Sequence, residues 1–259
     1  MLAQTIALGN WEIGGTLVLK RLKYRLRREA FHPTKLGIVF SPVYIIRSRL
    51  HKSISSLAPR LRGQVLDFGC GSKPYESLFA HADAYLGIDI AVSGHDHANS
   101  KVDIFYDGKT IPFPDQHFDS VVSFEVLEHV FNIDGALAEI SRVLRDDGLL
   151  LLTIPFAWNE HEQPFDFARY TSFGIRHILE RHGLRPVEIQ KTTTYWLAVC
   201  QMLLAYLSQY VSPGGTMAHR LFQLLVICPI TILALSLNRV LPERYDYFCN
   251  LTVLARKAG

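Results

Sequence analysis

The sequence predicts a doubly wound α/β fold, in which helices cover both faces of a mostly parallel sheet. Residues 61–192 alternate short apolar runs with helix-like stretches, the pattern of parallel strands joined by crossover helices. The runs at 65–68 and 149–154 are almost continuously apolar, as expected for strands that are covered on both faces. The first run enters a turn with glycines at 69 and 71, and open α/β sheets bind ligands at such turns.

The predicted elements follow from this alternation. Strands are expected at 64–68, 84–90, 102–106, 120–124, 149–154 and 186–191, and helices around 75–80, 133–144 and 172–182. Gly148 and Gly183 come just after helical stretches, where a residue in the left-handed conformation commonly ends a helix. A last β-like run covers 249–254.

Composition limits the class of protein. Of the 259 residues, 49% are hydrophobic and 20% are charged, which fits a globular protein with a sizeable core. The net charge of +3 is too small to indicate nucleic-acid binding. The four cysteines form no C-x-x-C pair, and the first residues lack the basic start of a signal peptide. We therefore expect a reducing, cytoplasmic location.

Four segments differ in character. Residues 1–60 are expected to be helical and basic, with a cationic run at 20–28 and Val18, Leu22 and Leu26 at four-residue spacing. Such a helix is equally consistent with a solvated face and with contact to a membrane surface. Residues 61–192 form the α/β core, 193–246 an apolar helical insertion, and 247–259 the final strand of the core.

The strongest motif is the turn after the first strand. Gly69 and Gly71 allow a close backbone approach to a ligand, but residue 74 is proline where a dinucleotide fingerprint needs a third glycine. Asp67 lies two positions before Gly69 and would repel a diphosphate by about 1–4 kcal/mol at a few ångströms. The turn therefore favours an aminoacyl nucleoside over a dinucleotide.

A second acid supports this interpretation. Asp89 ends the next strand, 22 residues after Asp67, which is the spacing of an acid that accepts hydrogen bonds from both ribose hydroxyls. A single acid at a strand end is commonly only a helix cap. Its combination with the glycine turn favours a nucleoside ligand.

Several stretches in order, VLDFGCG, YLGIDI, IPFPDQHFDSVVSFEVLEHV and RVLRDDGLLLLTIPF, resemble the class I S-adenosylmethionine-dependent methyltransferases, in particular their type 11 branch. The resemblance covers about residues 62–190 and implies a Rossmann-like, seven-stranded sheet that binds S-adenosylmethionine at its carboxyl edge. It also implies which residues contact the cofactor. These are Asp67, Gly69, Cys70 and Gly71 at the methionine part, Asp89 and Ile90 at the ribose, Asp107 and Gly108 near the adenine, and Phe124 and Glu125 over the cofactor.

Two stretches depart from the family pattern. The third small residue of the glycine loop is replaced within Ser72-Lys73-Pro74, and the turn before the fifth strand reads Asp146-Asp147-Gly148. Both changes are compatible with a working cofactor site. We expect a helix to start near Pro74, because proline suits the first helical position.

The loop after the fifth strand, residues 155–171, is dense in aromatic and ionisable groups. Methyl transfer to oxygen or nitrogen needs an aligned nucleophile and often a base, and we expect His161 to be that base with Asp166 orienting it. The alternative is that Asp166, Arg169 and Tyr170 form a network that only holds the loop. Its H-E-x-P-x-D-x-x-R-Y-T pattern resembles methyltransferases found near polysaccharide and lipid-linked sugar pathways.

Side chains of the types that bind metals occur in this loop and after the fourth strand. His129, His161, Glu162 and Asp166 have suitable side chains, but their spacing is not compact like that of H-E-x-x-H. We therefore expect no metal, and we interpret Glu128 and His129 as part of the fourth-strand motif.

The insertion before the last strand is apolar. It runs from Trp196 to Leu241, contains a turn at 212–215, and includes 17 uncharged residues at 221–237 that Pro229 is expected to kink. Arg220, Arg239 and Arg244 flank this second stretch, as anchors at a membrane surface would. A helical hairpin that enters the cytoplasmic leaflet or crosses the membrane twice fits, and so does a pair of core or dimer-interface helices.

The sequence therefore predicts an S-adenosylmethionine-dependent methyltransferase. We expect the acceptor to be an oxygen of a glycan, or of a small-molecule or lipid-linked saccharide, with the membrane surface as a second partner through 196–241 and 20–28. Two alternatives remain at this point: a catalytically silent scaffold of a membrane assembly that binds the cofactor, and a nicotinamide oxidoreductase, which Asp67 and Pro74 disfavour.

Overall fold

The computed structural model of the protein describes residues 29–91 and 100–259. These residues divide into two compact units. One comprises 53–192 with 249–259, and the other comprises 193–248 with the described residues before 53. The basic run predicted at 20–28, with Val18, Leu22 and Leu26, lies outside the described residues.

The larger unit is built on a seven-stranded sheet. Its strands are β1 (Gln64–Phe68), β2 (Ala84–Ile90), β3 (Ile104–Tyr106), β4 (Phe118–Phe124), β5 (Leu144–Pro155), β6 (Leu184–Lys191) and β7 (Asn250–Lys257). The strand order is β3-β2-β1-β4-β5-β7-β6. Strands β1 to β5 pair in parallel, and β7 runs antiparallel between β5 and β6. The predicted α/β fold is confirmed.

The topology determines where a ligand fits. From β1 the chain proceeds to β2 and β3 on one side, and it then returns to place β4 on the other side. A crevice therefore opens at the carboxyl ends of β1 and β4, where strand order reverses. The candidate cofactor residues lie in the last residues of β1, β2 and β4 or just after β1, β3 and β4, and all of these strands end at this edge.

Strand pairing moves several predicted boundaries. The strand expected at 102–106 begins only at Ile104, because its pairing with β2 starts at Ile88. The strand expected at 120–124 begins at Phe118, and the one expected at 149–154 begins at Leu144, because these two residues pair with each other. The run expected at 249–254 lies at Asn250–Lys257.

Two local predictions were wrong. The helix expected around 75–80 is a single 3-10 turn, Glu76–Phe79, so Pro74 is not its first residue. Gly148 does not end a helix in the left-handed conformation, because that helix ends at Val143 and Asp147 takes the positive φ of 61°. Gly148 is needed for space instead, since a Cβ there would lie 2.8 Å from the Arg145 carbonyl oxygen. Gly183, with φ 71°, does follow its helix as predicted.

Two helices of the core have clear start signals. In α3 (Ile133–Val143) the Asn132 side chain accepts a hydrogen bond from Gly135 N, and in α4 (Ser172–Arg181) Thr171 does the same for Gly174 N. These caps satisfy backbone N–H groups that have no partner within the helix. The apolar faces of both helices are buried, with Leu137, Ile140 and Val143 on α3 and Ile175 and Leu179 on α4.

The smaller unit is helical. It contains α1 (Gly37–Phe40), most of α2 (Tyr44–Leu57), α5 (Tyr195–Tyr206), α6 (Thr216–Phe222) and α7 (Cys228–Leu237), with π-helical segments at Leu207–Val211 and Gln223–Ile227. The second π segment ends at Ile227, two residues before Pro229, which has no N–H to donate and whose ring crowds the preceding turn. Trp196 Nε1 donates to the Ala234 carbonyl at 2.9 Å and joins α5 to α7.

The stretch Thr216–Leu237 is long and apolar enough to cross a membrane by length and composition, a test that core helices of soluble proteins also pass. Its buried side carries Gln223, Ile227, Thr231 and Ala234. Its other side exposes Leu221, Leu225 and Ile232, which are 50%, 69% and 51% exposed. The helical repeat thus leaves an apolar stripe open in this unit.

Gln201 forms buried hydrogen bonds inside the smaller unit. Although α5 is apolar, this fully buried amide accepts a hydrogen bond from Ile46 N in the first turn of α2 at 3.1 Å, and it donates one to the Pro42 carbonyl at 3.0 Å. It satisfies an N–H group at a helix start that has no partner within the helix.

Replacing Gln201 by leucine should therefore destabilise the protein. The substitution leaves a buried N–H and a buried carbonyl unpaired, at about 1–3 kcal/mol for each group. Chemical denaturation should show a lower free energy of unfolding for Gln201→Leu, whereas Gln209→Leu, at an exposed position, should stay close to wild type. Equal stability of the two variants would contradict the role given to Gln201.

Candidate active site

The turn after β1 requires glycine at its first position. Gly69 has φ 73°, and an added Cβ would lie 2.5 Å from Val126 Cγ1. Gly69 N and Cys70 N both donate to the Ile88 carbonyl of β2, at 2.9 and 3.0 Å. Gly71 has φ 49°, and apart from its chain neighbours no atom of residues 29–91 and 100–259 lies within 4 Å of where its Cβ would be. Gly69 is thus fixed by space, whereas Gly71 leaves open room above the turn.

Asp89 is joined directly to this turn. Its Oδ2 accepts a hydrogen bond from Gly71 N at 3.0 Å, and its Oδ1 accepts one from Ile90 N at 2.8 Å. The structure therefore brings together Gly69, Gly71, Asp89 and Ile90, which the sequence assigned to the cofactor.

Asp67 lies deeper than the other predicted cofactor residues. It is only 2% exposed, and Oδ2 accepts a hydrogen bond from the Tyr85 hydroxyl at 2.6 Å. Burial raises the pKa of Asp67 from 3.8 to about 7, although the hydrogen bond from Tyr85 opposes this effect. Cys70 is also buried. The buried Asp67 carboxyl is therefore held in place by the Tyr85 hydroxyl.

Lys73 is a site residue that sequence reasoning missed. Its side chain is 5% exposed and forms an ion pair with Asp103, whose Oδ2 also accepts a hydrogen bond from Gly87 N at 2.6 Å. A Cβ on Gly87 would lie 2.6 Å from Lys73 Cε. The mid-strand glycine was the available signal, because it makes room for a side chain that ties the turn to the start of β3.

The end of β3 carries Asp107 and Gly108. Asp107 Oδ1 accepts hydrogen bonds from Lys109 N at 2.8 Å and Thr110 N at 3.0 Å, which lower the pKa of this exposed carboxyl. Gly108 has φ 74°, and its Cβ would lie 3.2 Å from Ile90 Cγ2. Gly108 therefore borders Ile90, and Asp107 is engaged in its own turn.

The end of β4 carries Phe124 and Glu125. The Phe124 ring lies 5.0 Å from that of Tyr75, between centroids. Glu125 takes φ 56°, and its N donates to the Thr153 carbonyl at 3.0 Å. Its Oε2 accepts a hydrogen bond from Nδ2 of the fully buried Asn250, the first residue of β7, at 2.8 Å. Asn250 was missed, since it lies 125 residues away in sequence.

In the loop after β5, His161 and Asp166 are in contact. Asp166 Oδ2 accepts a hydrogen bond from His161 N at 2.9 Å and lies 3.2 Å from His161 Nδ1. Arg169 donates a hydrogen bond to each oxygen of Asp166, from Nη1 to Oδ1 at 2.5 Å and from Nη2 to Oδ2 at 2.6 Å. The geometry therefore combines the orienting pair of His161 and Asp166 with the Asp166–Arg169 part of the loop-holding network, which the sequence left as alternatives.

The charges of this loop are set by the same contacts. Burial works against ionisation of Asp166, but the hydrogen bonds from Arg169 and His161 N prevail and lower its pKa to about 2. The pKa of His161 is lowered by burial and by the neighbouring His129. His161 is therefore neutral and Asp166 ionised near pH 7.

The 3-10 turn after β4, Leu127–His129, meets this loop. The rings of His129 and His161 lie 4.7 Å apart, and Phe167 N donates to the Glu128 carbonyl at 2.8 Å. Glu128 is fully buried, and burial together with nearby Glu125 raises the pKa of its carboxyl well above the usual range. The fourth-strand motif and the candidate catalytic loop thus form one site.

Comparison with known proteins identifies the family of this domain. Residues 44–189, more than half of the chain, match the sequence profile of a family described as "Methyltransferase domain". The match spans the glycine turn, Asp89 and the loop after β5.

Two relatives are similar over this region. A "Probable S-adenosylmethionine-dependent methyltransferase" of Mycolicibacterium smegmatis is 34% identical over 145 residues, which cover 54% of each chain. A "Fatty-acid O-methyltransferase" of the same organism is 30% identical over 114 residues, or 40% of this chain and 42% of the relative. The first curated relatives are matched over only 36–54% of their own length.

Solved structures show the fold. The structure described as a SAM-dependent methyltransferase from Archaeoglobus fulgidus superimposes with a TM-score of 0.51 at 19% identity, covering 90% of this chain and 99% of the other.

The buried carboxyl of Asp67 predicts a pH-dependent stability. Its pKa of about 7 exceeds the ordinary 3.8, so its contribution to stability is present below pH 4 and is lost as the pH rises to about 7. Asp67→Asn keeps an acceptor for Tyr85 without a charge. It should match wild type near pH 4 and become more stable above pH 7, by up to about 4 kcal/mol.

The measurement is chemical denaturation of wild type and Asp67→Asn at a series of pH values. Asp83→Asn, exposed before the start of β2, serves as the control and should show no such pH dependence. A constant difference between wild type and Asp67→Asn across the series would contradict the raised pKa.

Proposed function

The chain belongs to the class I S-adenosylmethionine-dependent methyltransferase family, and we propose that it transfers the methyl group of this cofactor to an oxygen of a glycan or lipid-linked acceptor. The observation that carries the proposal is the 3.0 Å hydrogen bond from Gly71 N to Asp89 Oδ2. It sets the glycine turn beside an acid at the crevice where strand order reverses.

The residues at this place fit the cofactor. Each oxygen of Asp89 accepts one backbone hydrogen bond, and a carboxylate offers about four acceptor positions, so two remain for ribose hydroxyls. In the part of the chain that the structure describes, no atom other than those of the neighbouring residues lies within 4 Å of the position of a Cβ on Gly71, which leaves room for a ligand against the backbone. An acid also suits hydroxyl donors better than it suits a phosphate.

The other assignments follow the edge of the sheet. We assign Asp67, Gly69, Cys70 and Gly71 to the methionine part, Asp89 and Ile90 to the ribose, Asp107 and Gly108 to the adenine side, and Phe124 and Glu125 to the cover. Because Asp67 is only 2% exposed, we assign it an indirect role, in which it holds the glycine turn in position for the cofactor.

The chemistry on the acceptor side falls to the loop after β5. The bound cofactor supplies an electrophilic methyl group on a sulfonium. His161 is neutral near pH 7 and can accept the proton of an acceptor hydroxyl, because its Nδ1 lies against Asp166 and leaves Nε2 available. Asp166 is a positioning residue, and Arg169 fixes it.

A lipid-like acceptor is supported from two sides. One relative that matches 40% of this chain is named for O-methylation of a fatty acid. In the smaller unit, the stripe of Leu221, Leu225 and Ile232 is apolar and exposed. We propose that this stripe contacts the cytoplasmic face of a membrane, as interfacial helices do, and brings an amphiphilic acceptor to the protein.

Loss of the Asp89 carboxylate should weaken cofactor binding. Asp89→Ala removes the hydrogen bonds that a charged acceptor makes and should cost roughly 1–3 kcal/mol of binding free energy. Calorimetry of the purified full chain with S-adenosylmethionine measures this. Asp83→Ala, exposed before the start of the same strand, is the matched control and should bind as wild type does.

The same titration tests the proposed cofactor against a nicotinamide. Wild type should bind S-adenosylmethionine and fail to bind NAD. Unchanged affinity in Asp89→Ala would refute the assignment of Asp89, and binding of NAD alone would refute the proposed function.

Charge on the apolar stripe should abolish membrane binding. Leu221 and Leu225 are 50% and 69% exposed, and replacing both by glutamate places two charges on the proposed contact. Wild type should float with vesicles that contain anionic lipid, and the double variant should bind them at least ~10-fold more weakly, the loss expected for two leucine contacts.

Phe173→Glu is the control for this flotation assay. Phe173 is 81% exposed on α4 of the larger unit, so its substitution adds a charge without touching the stripe. If wild type remains in the aqueous fraction, or if Phe173→Glu reduces binding as strongly as the double variant does, the membrane proposal is wrong.

A further inference from the structure

The region between the end of β4 and the loop after β5 gathers groups that bind metals. Glu128, His129 and His161 each offer one ligand atom, and these atoms all lie within 4.8 Å of one another. Glu162 Oε2 lies 3.6 Å from His129 Nε2. The sequence argued against a metal because these residues are not compactly spaced, but the fold brings the two segments together.

Glu128 gives an independent indication of a ligand. Its side chain is fully buried, and neither carboxylate oxygen accepts a hydrogen bond from another residue of the described chain. The distance from Glu128 Oε1 to His129 Nε2 is long for an ion pair, at 3.8 Å. A buried carboxylate without hydrogen bonds is costly unless a cation compensates it.

The two histidines are held in the tautomer that binds metals. His129 Nδ1 lies 2.9 Å from the Phe165 carbonyl, which can only accept, so the proton is on Nδ1 and Nε2 keeps its lone pair. Nε2 of His129 has no hydrogen-bond partner among the described residues. His161 Nδ1 faces Asp166 Oδ2 at 3.2 Å and the Asn159 carbonyl at 3.3 Å, which are also acceptors and lie closer than the donor Arg169 Nη2, at 3.5 Å.

These outer contacts match those of known metal sites. A histidine that binds a metal almost always donates its other ring N–H to a carboxylate or a backbone carbonyl, which fixes the orientation of the ring. His161 has both partners and His129 has the carbonyl. If His161 acted only as a base, only its own Nδ1 would need to be held by an acceptor. His129 Nδ1 is held in the same way, which a base at His161 does not explain and a shared metal ion does.

We propose that Glu128, His129 and His161 bind one divalent transition-metal ion. Two imidazole nitrogens with one carboxylate favour Mn²⁺, Fe²⁺, Co²⁺ or Zn²⁺ over the oxygen-seeking Ca²⁺ and Mg²⁺. Glu162 lies close enough to join the site, and the remaining positions are left for water or an acceptor oxygen.

The role of this ion in methyl transfer rests on the proposed function. A metal-bound hydroxyl loses its proton more readily, so the ion would activate an acceptor oxygen at the edge of the sheet. His161 would then act on the acceptor through the ion. The binding of the ion itself does not depend on any methyl transfer.

The test is metal binding by the full chain after treatment with a chelator. Mn²⁺ titration followed by electron paramagnetic resonance, and Zn²⁺ titration followed by calorimetry, should each show one saturable site. Glu128→Gln, His129→Gln and His161→Gln should weaken binding at least 10-fold, and Asp166→Asn, outside the ligand set, by about 10–100-fold. His177→Gln and Glu180→Gln, exposed on α4, should bind as wild type does.

Binding of S-adenosylmethionine by each variant shows that it is folded. The inference is overturned if wild type binds neither Mn²⁺ nor Zn²⁺, or if Glu128→Gln and His129→Gln bind them as wild type does. A chain that binds S-adenosylmethionine but no metal leaves the proposed function standing. A chain that binds metal but neither binds nor uses S-adenosylmethionine contradicts the proposed function and leaves the metal site standing.

Discussion

The close approach of Gly69 to Val126 is the constraint on which the rest of the site depends. A Cβ at Gly69 would lie 2.5 Å from Val126, so the turn after β1 and the segment after β4 fit together only because residue 69 is glycine. The turn positions Gly71 against Asp89, and the segment after β4 carries Glu125, Glu128 and His129. This one steric contact therefore fixes the position of the turn after β1 relative to the segment after β4.

The local parts of this site could be predicted from sequence, because they depend on residues close together in the chain. The strands at Gln64–Phe68 and Ala84–Ile90 have the predicted ends, and the glycine turn lies where expected. The long-range pairs could not be predicted. Lys73 with Asp103, Glu125 with Asn250, and Glu128 with His161 join segments 30 or more residues apart, for which spacing carries no signal. The failed helix at 75–80 shows the same limit, because Tyr75 and Phe79 turn inward against Phe124.

In the smaller unit, apolar segments contain both a buried polar residue and exposed apolar residues. Hydropathy alone gives no distinction between helix faces, yet Gln201 is fully buried and hydrogen-bonded to the start of α2, while Leu225 is exposed. The buried amide specifies how α5 packs within its own unit, since a misplaced polar group would lose its partners. The exposed stripe on Thr216–Leu237 takes no part in that buried packing.

The most direct test of the central claim is methyl transfer by the purified full chain. Methyl-labelled S-adenosylmethionine is incubated with cell extract, and the extract is then separated into lipid, glycan and small-molecule fractions. The account predicts label in the lipid or glycan fraction with wild type, and strongly reduced label with Asp89→Ala. Binding of the cofactor without label in any fraction would contradict it and would indicate a catalytically silent scaffold.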